Sequence, residues 1–224
     1  MISDSFSLIL SLESSYIDIV ALSLFVSVTA TLFASIFSIL SAAYLTINNF
    51  KLRNILMLII HSLLALPPVV IGLVLYILFS NNGILSDYNL LYTVKIMIIA
   101  QVILITPILI TLCKESFDYT HNILKEYLIS IRASKLKQTI TLIQECKLNI
   151  ILNILVAFGR ALSEVGAIII VGGNISYLTR TMTTGIVVET SKGDLSMALS
   201  LGITLLLISL IINSIVYYFK TSLK

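Results

Sequence analysis

Arg160 and Glu164 stand four residues apart inside the apolar stretch Phe158–Ile175. On a helix this spacing puts both side chains on one face, where they can pair. A charge at the centre of a membrane helix costs about 2.5–3.5 kcal/mol on the insertion scale, so lipid exposure of either is disfavoured. The pair can fix helix packing as a buried ion pair, or it can line a path or form part of a gate. Gly159, Ala161, Ser163, Gly166 and Ala167 surround it, and such small residues let another helix approach closely. A second group of donors follows. Thr179, Thr181, Thr183 and Thr184 carry hydroxyls, and Arg180 carries a planar fork of N–H groups suited to oxyanions. The same threonines can equally belong to a re-entrant gate whose hydroxyls satisfy backbone groups.

Other chemistries find no residues. No G-x-x-x-x-G-K-[ST] occurs, and "TSKGD" at Thr190–Asp194 has the wrong order to hold ATP phosphates. HExxH, GxSxG and metal-ligand spacings are missing, so neither a catalytic nor a metal site is expected. His61 and His121 are far apart in sequence, and Cys113 and Cys146 read as packing residues rather than ligands or a disulfide. These exclusions point to a transporter or channel subunit.

The positioning elements are membrane helices. Of the 224 residues 58% are hydrophobic and 11% charged, against about 25% charged in an ordinary soluble domain; mean hydropathy is +1.07. Continuous apolar runs favour helices over the alternating strands of a barrel. Five spans are expected: Ile17–Ile47, Asn54–Ser80, Leu90–Cys113, Leu148–Gly172 and Leu195–Phe219. Pro67, Pro68 and Pro107 should kink the second and third. The N-terminal stretch lacks a basic region ahead of its apolar run, so the first span should be retained.

Lys51, Arg53, Lys114, Lys125, Arg132, Lys135, Lys137, Lys147, Lys220 and Lys224 fall on one side. That side should be cytoplasmic, with the N-terminus outside and the C-terminus inside. Residues 1–16 then form an external segment, 17–219 a single transmembrane domain and 220–224 a cytoplasmic tail. Lys95 can snorkel to the outer headgroups, and Gln101 can bond two helices together. The long connections are a cytoplasmic loop, 114–147, and an external one, 173–194.

Within the first loop, Tyr127, Leu128 and Ile131 predict a short amphipathic helix over Glu126–Ala133. It is too short to persist alone in water, so it needs a partner surface, lipid headgroups or protein. This loop resembles the EAA loop of ABC importer permeases. Glu126, Ala133 and Ser134 match the motif, Arg132 replaces its glycine, and Glu145 stands near a position where many relatives have proline. "HSLLALPPVVIGLVLY" at His61–Tyr76 and "GRALSEVGA" at Gly159–Ala167 resemble molybdate-type permeases. "VGGNISYLTRTMTTGIVVETSKGD" at Val171–Asp194 is most similar to the tungstate-type branch. The chain thus resembles, over residues 17–217, the permease subunit of a tungstate ABC importer.

The resemblance implies an all-α integral membrane protein of the type I importer permease fold, multi-pass in a bacterial or archaeal cell membrane. It implies a homodimer served by two ATP-binding subunits inside and an external oxyanion-binding protein, with no nucleic-acid partner. ATP and Mg would sit on the partner ATPase, leaving no cofactor on this chain. Coupling would use Glu126, Arg132, Ala133, Ser134 and Glu145. The path or gate would use Arg160, Glu164, Asn174, Thr179, Arg180, Thr181, Thr183 and Thr184. Lys192 and Asp194 would touch the binding protein. A molybdate or sulfate permease is the alternative within the class; a stand-alone channel or secondary transporter, or a membrane scaffold, lies outside it.

Overall fold

The computed structural model describes residues 8–11 and 13–222; the remainder of the expected N-terminal segment and C-terminal tail lies outside the described residues. Nine principal helices are described: α1 Ser14–Ile47, α2 Arg53–Leu64, α3 Pro68–Phe79, α4 Val94–Ser130, α5 Lys135–Glu145, α6 Lys147–Leu162, α7 Gly166–Gly172, α8 Met182–Lys192 and α9 Leu195–Ser222. Three of them, α1, α4 and α9, are long and apolar enough to cross a membrane. The number rises to five if the bent pairs α2–α3 and α5–α6 each count as one span.

The axis of the fold is α1 against α4. The buried face of α1 is built from small residues, among them Ser23, Ser27, Ala30, Thr31, Ala34, Ser35, Ser38 and Ala42. Their four-residue rhythm lets two backbones come close, and the hydroxyls bond back into the helix: Ser23 to the Ile19 carbonyl at 2.7 Å, Thr31 to Ser27 at 2.7 Å. Ser38 instead donates across the interface to the Thr106 carbonyl at 3.2 Å. Apolar clusters follow this seam. Val26, Ile96 and Met97 meet Ala167 and Ile168 near one end. Ala30, Ile105 and Ala157 fill the middle, and Ala43, Phe117, Leu142 and Ile150 the other end. Outside it, α9 packs on α6 and α8 through Leu162, Met182 and Leu201.

Three expectations change. The second apolar run is no single straight helix: α2 and α3 meet at 100°. Pro68 begins α3 and holds Pro67 extended, at ψ 126°, because the residue before a proline is driven out of the helical region. The helix that carries the third run does not end at Cys113. α4 passes through Pro107 as one helix of 37 residues, about 55 Å long against a hydrocarbon core of about 30 Å. The predicted short helix at Glu126–Ala133 is therefore the last turn of α4 followed by a turn. The fourth run breaks at Ser163–Val165, so Glu164 lies between α6 and α7 rather than within one helix.

Candidate functional site

The break after α6 gathers three helix ends. Arg160, in the last turn of α6, donates from Nη1 to Glu164 Oε2 at 2.9 Å. Glu164 Oε1 accepts the Ala167 N–H at 3.3 Å, in the first turn of α7, where a carboxylate also complements the helix dipole. From α8, Thr183 Oγ1 donates to the Glu164 carbonyl at 2.8 Å. From α4, Gln101 donates to the Ala161 carbonyl at 2.9 Å, leaving its own Oε1 buried and unpaired. The ion pair is lopsided: the Glu164 side chain is 6% exposed and that of Arg160 is 44% exposed. A buried carboxylate is thus held by protein on one side and by an arginine at the open face of α6 on the other.

α7 sits where it does because glycine permits it. A Cβ on Gly72 of α3 would lie 2.9 Å from the Ala167 Cα, and one on Gly166 would lie 2.7 Å from Val69 Cγ2. Beyond α7 the chain turns at Gly173, φ +69°, under the Tyr92 ring. Asn174 follows at φ +48°, with its Oδ1 buried and unpaired.

All four threonine hydroxyls are buried and engaged. Thr179 Oγ1 donates to the Gly172 carbonyl at 2.5 Å and accepts the Ile175 N–H at 3.0 Å. Thr181 and Thr184 form a reciprocal capping box at the start of α8. The Met182 N–H reaches Ser23 Oγ of α1 at 2.7 Å. The hydroxyls therefore serve the backbone in this conformation. Arg180 points its Nη1 at Glu189 Oε1, 2.9 Å away, and Lys192 Nζ meets the same oxygen at 3.0 Å. The Glu189 side chain is only 9% exposed, so two cations compensate one buried carboxylate. Sequence reasoning missed Glu189, although its three-residue offset from Lys192 on one helix was a readable pairing signal. These residues line a cavity of ≈ 770 Å³ shared with Asp18 and Phe25 of α1. Asp194 accepts the Met197 N–H at 3.1 Å, capping α9.

The other predicted group lies at the far tip. α4 ends in a turn where the Ala133 N–H bonds the Leu128 carbonyl and the Arg132 N–H bonds that of Ile129, both at 2.9 Å. This is the paired bond pattern of a Schellman cap, whose left-handed position usually carries glycine. Arg132 occupies it at φ +48°. Ser134 caps α5, accepting from the Lys137 N–H at 3.4 Å, and Gln138 bonds the Ala133 carbonyl at 3.0 Å. Glu126 is exposed on the last turns of α4, and Glu145 ends α5 just before its 69° bend into α6. Tyr127, Ile129, Ile131 and Leu136 are more than half exposed around this tip.

Comparison with known proteins matches residues 34–224 to the family described as binding-protein-dependent transport system inner membrane component. The tungstate uptake system permease protein TupB of Peptoclostridium acidaminophilum is 39% identical over 94% of this chain and 92% of its own. The Campylobacter jejuni protein of that name is 39% identical over 77% of this chain and 72% of its own. A probable anion ABC transporter permease protein of Haloferax volcanii is 30% identical over 89% and 88%. With a family match across most of its length and relatives aligned nearly end to end, the chain belongs to the family of binding-protein-dependent transport system inner membrane components.

Proposed function

We propose that this chain is the membrane-spanning permease subunit of an ATP-driven tungstate importer. The observation that carries the substrate is the 39% identity to two permeases named for tungstate uptake. Relatives named for sulfate or molybdenum transport stand at 25–28%. The basic loops set the orientation, N-terminus outside and C-terminus inside. Five crossings satisfy that parity when α2–α3 is one broken span and α6, continued by α7 past the break, is another, with α5 assigned to the cytoplasmic coupling loop instead of to a span.

The α4–α5 tip is then the coupling element. It stands beyond the lipid on a helix about 25 Å longer than the hydrocarbon core needs. Its exposed Tyr127, Ile131 and Leu136 suit a protein surface rather than water. Glu126, Arg132, Ala133, Ser134 and Glu145 would meet the ATP-binding subunit, which carries the ATP and Mg. The break at Arg160 and Glu164, with Asn174 and the Thr179–Thr184 segment, would form path and gate in a homodimer. Gly159 beside Arg160 has open space where a Cβ would stand, room for a second copy. Lys192 and Asp194 rim the outer cavity, where an oxyanion-binding protein would dock.

The test is tungstate accumulation, by elemental mass spectrometry, in cells deleted for the chain and complemented. Restored tungstate uptake that needs an intact partner ATPase supports the reading. Restoration of molybdate or sulfate uptake alone overturns the substrate, and ATP-independent flux through the isolated chain overturns the subunit role.

A further inference from the structure

Where α1 ends, α2 begins and α4 leaves its apolar half, a polar cavity of ≈ 430 Å³ opens, lined by Thr46, Asn49, Arg53, His121, Asn122 and Lys125, with Asp118 at its wall. Asp118 is already compensated. It accepts from Thr46 at 2.8 Å, pairs with Lys114, and lies 3.9 Å from Arg53. Asp118 is the one carboxylate at the chamber and faces three cations, Lys114, Arg53 and Lys125, so positive charge remains in excess. His121 Nδ1 is buried there without a hydrogen-bond partner. This is a donor-rich, net cationic pocket that suits a tetrahedral oxyanion such as a phosphate.

The same three helices carry a second feature farther along α1 and α4 from the chamber. An apolar groove of ≈ 820 Å³ runs between them, lined by Tyr44, Leu56, Ile59, Leu63, Ile103 and Pro107. Tyr44, which lines this groove, and Phe50 pack with ring centroids 5.9 Å apart. Aromatic side chains of this kind gather at the headgroup level of a membrane. A charged chamber and an apolar groove between the same three helices offer a phospholipid a place for its head and a place for a tail. Basic pockets between membrane helices on the positively charged side bind anionic headgroups.

We propose that this chain holds one anionic phospholipid, its phosphate on Arg53 and Lys125 and an acyl chain in the groove between α1, α2 and α4. The site lies apart from the Arg160–Glu164 break and does not depend on which substrate is carried.

Native mass spectrometry of the full-length chain in detergent, with phosphatidylglycerol or phosphatidylcholine added back, tests it. One phosphatidylglycerol should be retained per chain in preference to phosphatidylcholine. The R53Q/K125Q pair should weaken it about thirtyfold, the effect expected of two basic side chains at an anionic surface. R53K/K125R should retain it. Ile59→Trp, which fills the groove and leaves the charges, should also release the lipid while the oligomer mass stays unchanged. Equal retention of the two lipids, or retention by R53Q/K125Q, overturns the proposal. So does an Ile59→Trp chain that keeps its lipid but loses its dimer, because the groove is then a protein interface. Calorimetry of the delipidated chain with inorganic phosphate and with tungstate separates the remaining source. Saturable binding of free oxyanion that R53Q/K125Q abolishes, with lipid retention unaffected, assigns the pocket to a soluble anion instead.

Discussion

Glutamine substitutions at the two ends of the Arg160–Glu164 pair should have unequal costs, because what matters is the partner left behind. Arg160→Gln strands a carboxylate that is 6% exposed, with the Ala167 N–H at 3.3 Å as its remaining close donor. Breaking a fully buried pair by removing one partner costs about 3–5 kcal/mol. The surviving N–H and the half-exposed arginine head bring the expected loss to about 2–3 kcal/mol. Glu164→Gln instead leaves Arg160, 44% exposed, free to turn outward, while the single glutamine oxygen can keep the Ala167 N–H that now bonds Glu164 Oε1, and its NH2 replaces the oxygen that now accepts from Arg160. That change should cost about 1 kcal/mol, one ordinary hydrogen bond. The gap is measurable by equilibrium unfolding of each variant in mixed micelles with an SDS titration. It holds only if the open face of Arg160 meets water or polar protein. Equal losses, or a larger loss for Glu164→Gln, would refute the reasoning and place that face against lipid. Uptake measured on equal amounts of inserted protein separates roles further: a gate predicts that Arg160→Gln slows transport more than it reduces assembled protein.

Gly72→Ala should destabilise by about 1–3 kcal/mol, the range for overpacking, since its new Cβ meets the Ala167 backbone at 2.9 Å; an unchanged unfolding midpoint would mean that α3 and α7 slide freely. Thr183→Val, which unpairs the Glu164 carbonyl, should cost about 1 kcal/mol in the same titration. Arg132→Gly should gain about 0.5 kcal/mol by relieving the left-handed backbone at φ +48°, whereas Arg132→Val should lose more than that. Glu126→Ala and Ala133→Phe should uncouple ATP hydrolysis from uptake with insertion intact; survival of both uptake and ATPase stimulation would move the coupling surface elsewhere.

The membrane class was legible because apolar runs long enough to span have few soluble uses. The right-angle break at Pro67-Pro68 was legible as a distortion, since two prolines remove consecutive donors. Its angle depends on Gly72 meeting α7, a contact nearly a hundred residues away. The continuation of α4 was hidden by polarity: beyond Cys113 the residues turn charged, which reads as loop. Yet Lys114 and Asp118 pair at i and i+4, a helical signature in the sequence itself. At Arg180 the reading counted donors and overlooked the acceptor. Glu189 lies nine residues on and meets Arg180 only after the Thr181–Thr184 box has turned the chain into α8. The Tyr92 N–H on the Val171 carbonyl at 2.9 Å had no local signal.

The length of α4 gives the proposed coupling a physical route. One uninterrupted helix carries Gln101 near one end and the Ser130–Ser134 turn at the other. Gln101 bonds the Ala161 carbonyl, which belongs to the last turn of α6, one residue from Arg160. A displacement of the turn by the proposed partner would therefore reach the break without crossing a loop. The short side chains of α1 facing α4 offer little interlocking to oppose sliding, because small residues bring backbones together without deep knobs. At the receiving end, Glu164 is tied by its carboxylate to α6 and α7 and by its carbonyl to α8. Moving α6 relative to α8 must strain or exchange one of those three bonds. The bond with the most freedom to exchange is the one to Arg160, whose half-exposed end is the least enclosed of the three donors. A permease with two arrangements would break that contact first, and the unpaired Gln101 Oε1 on the same cluster is an acceptor available to the arginine when it does.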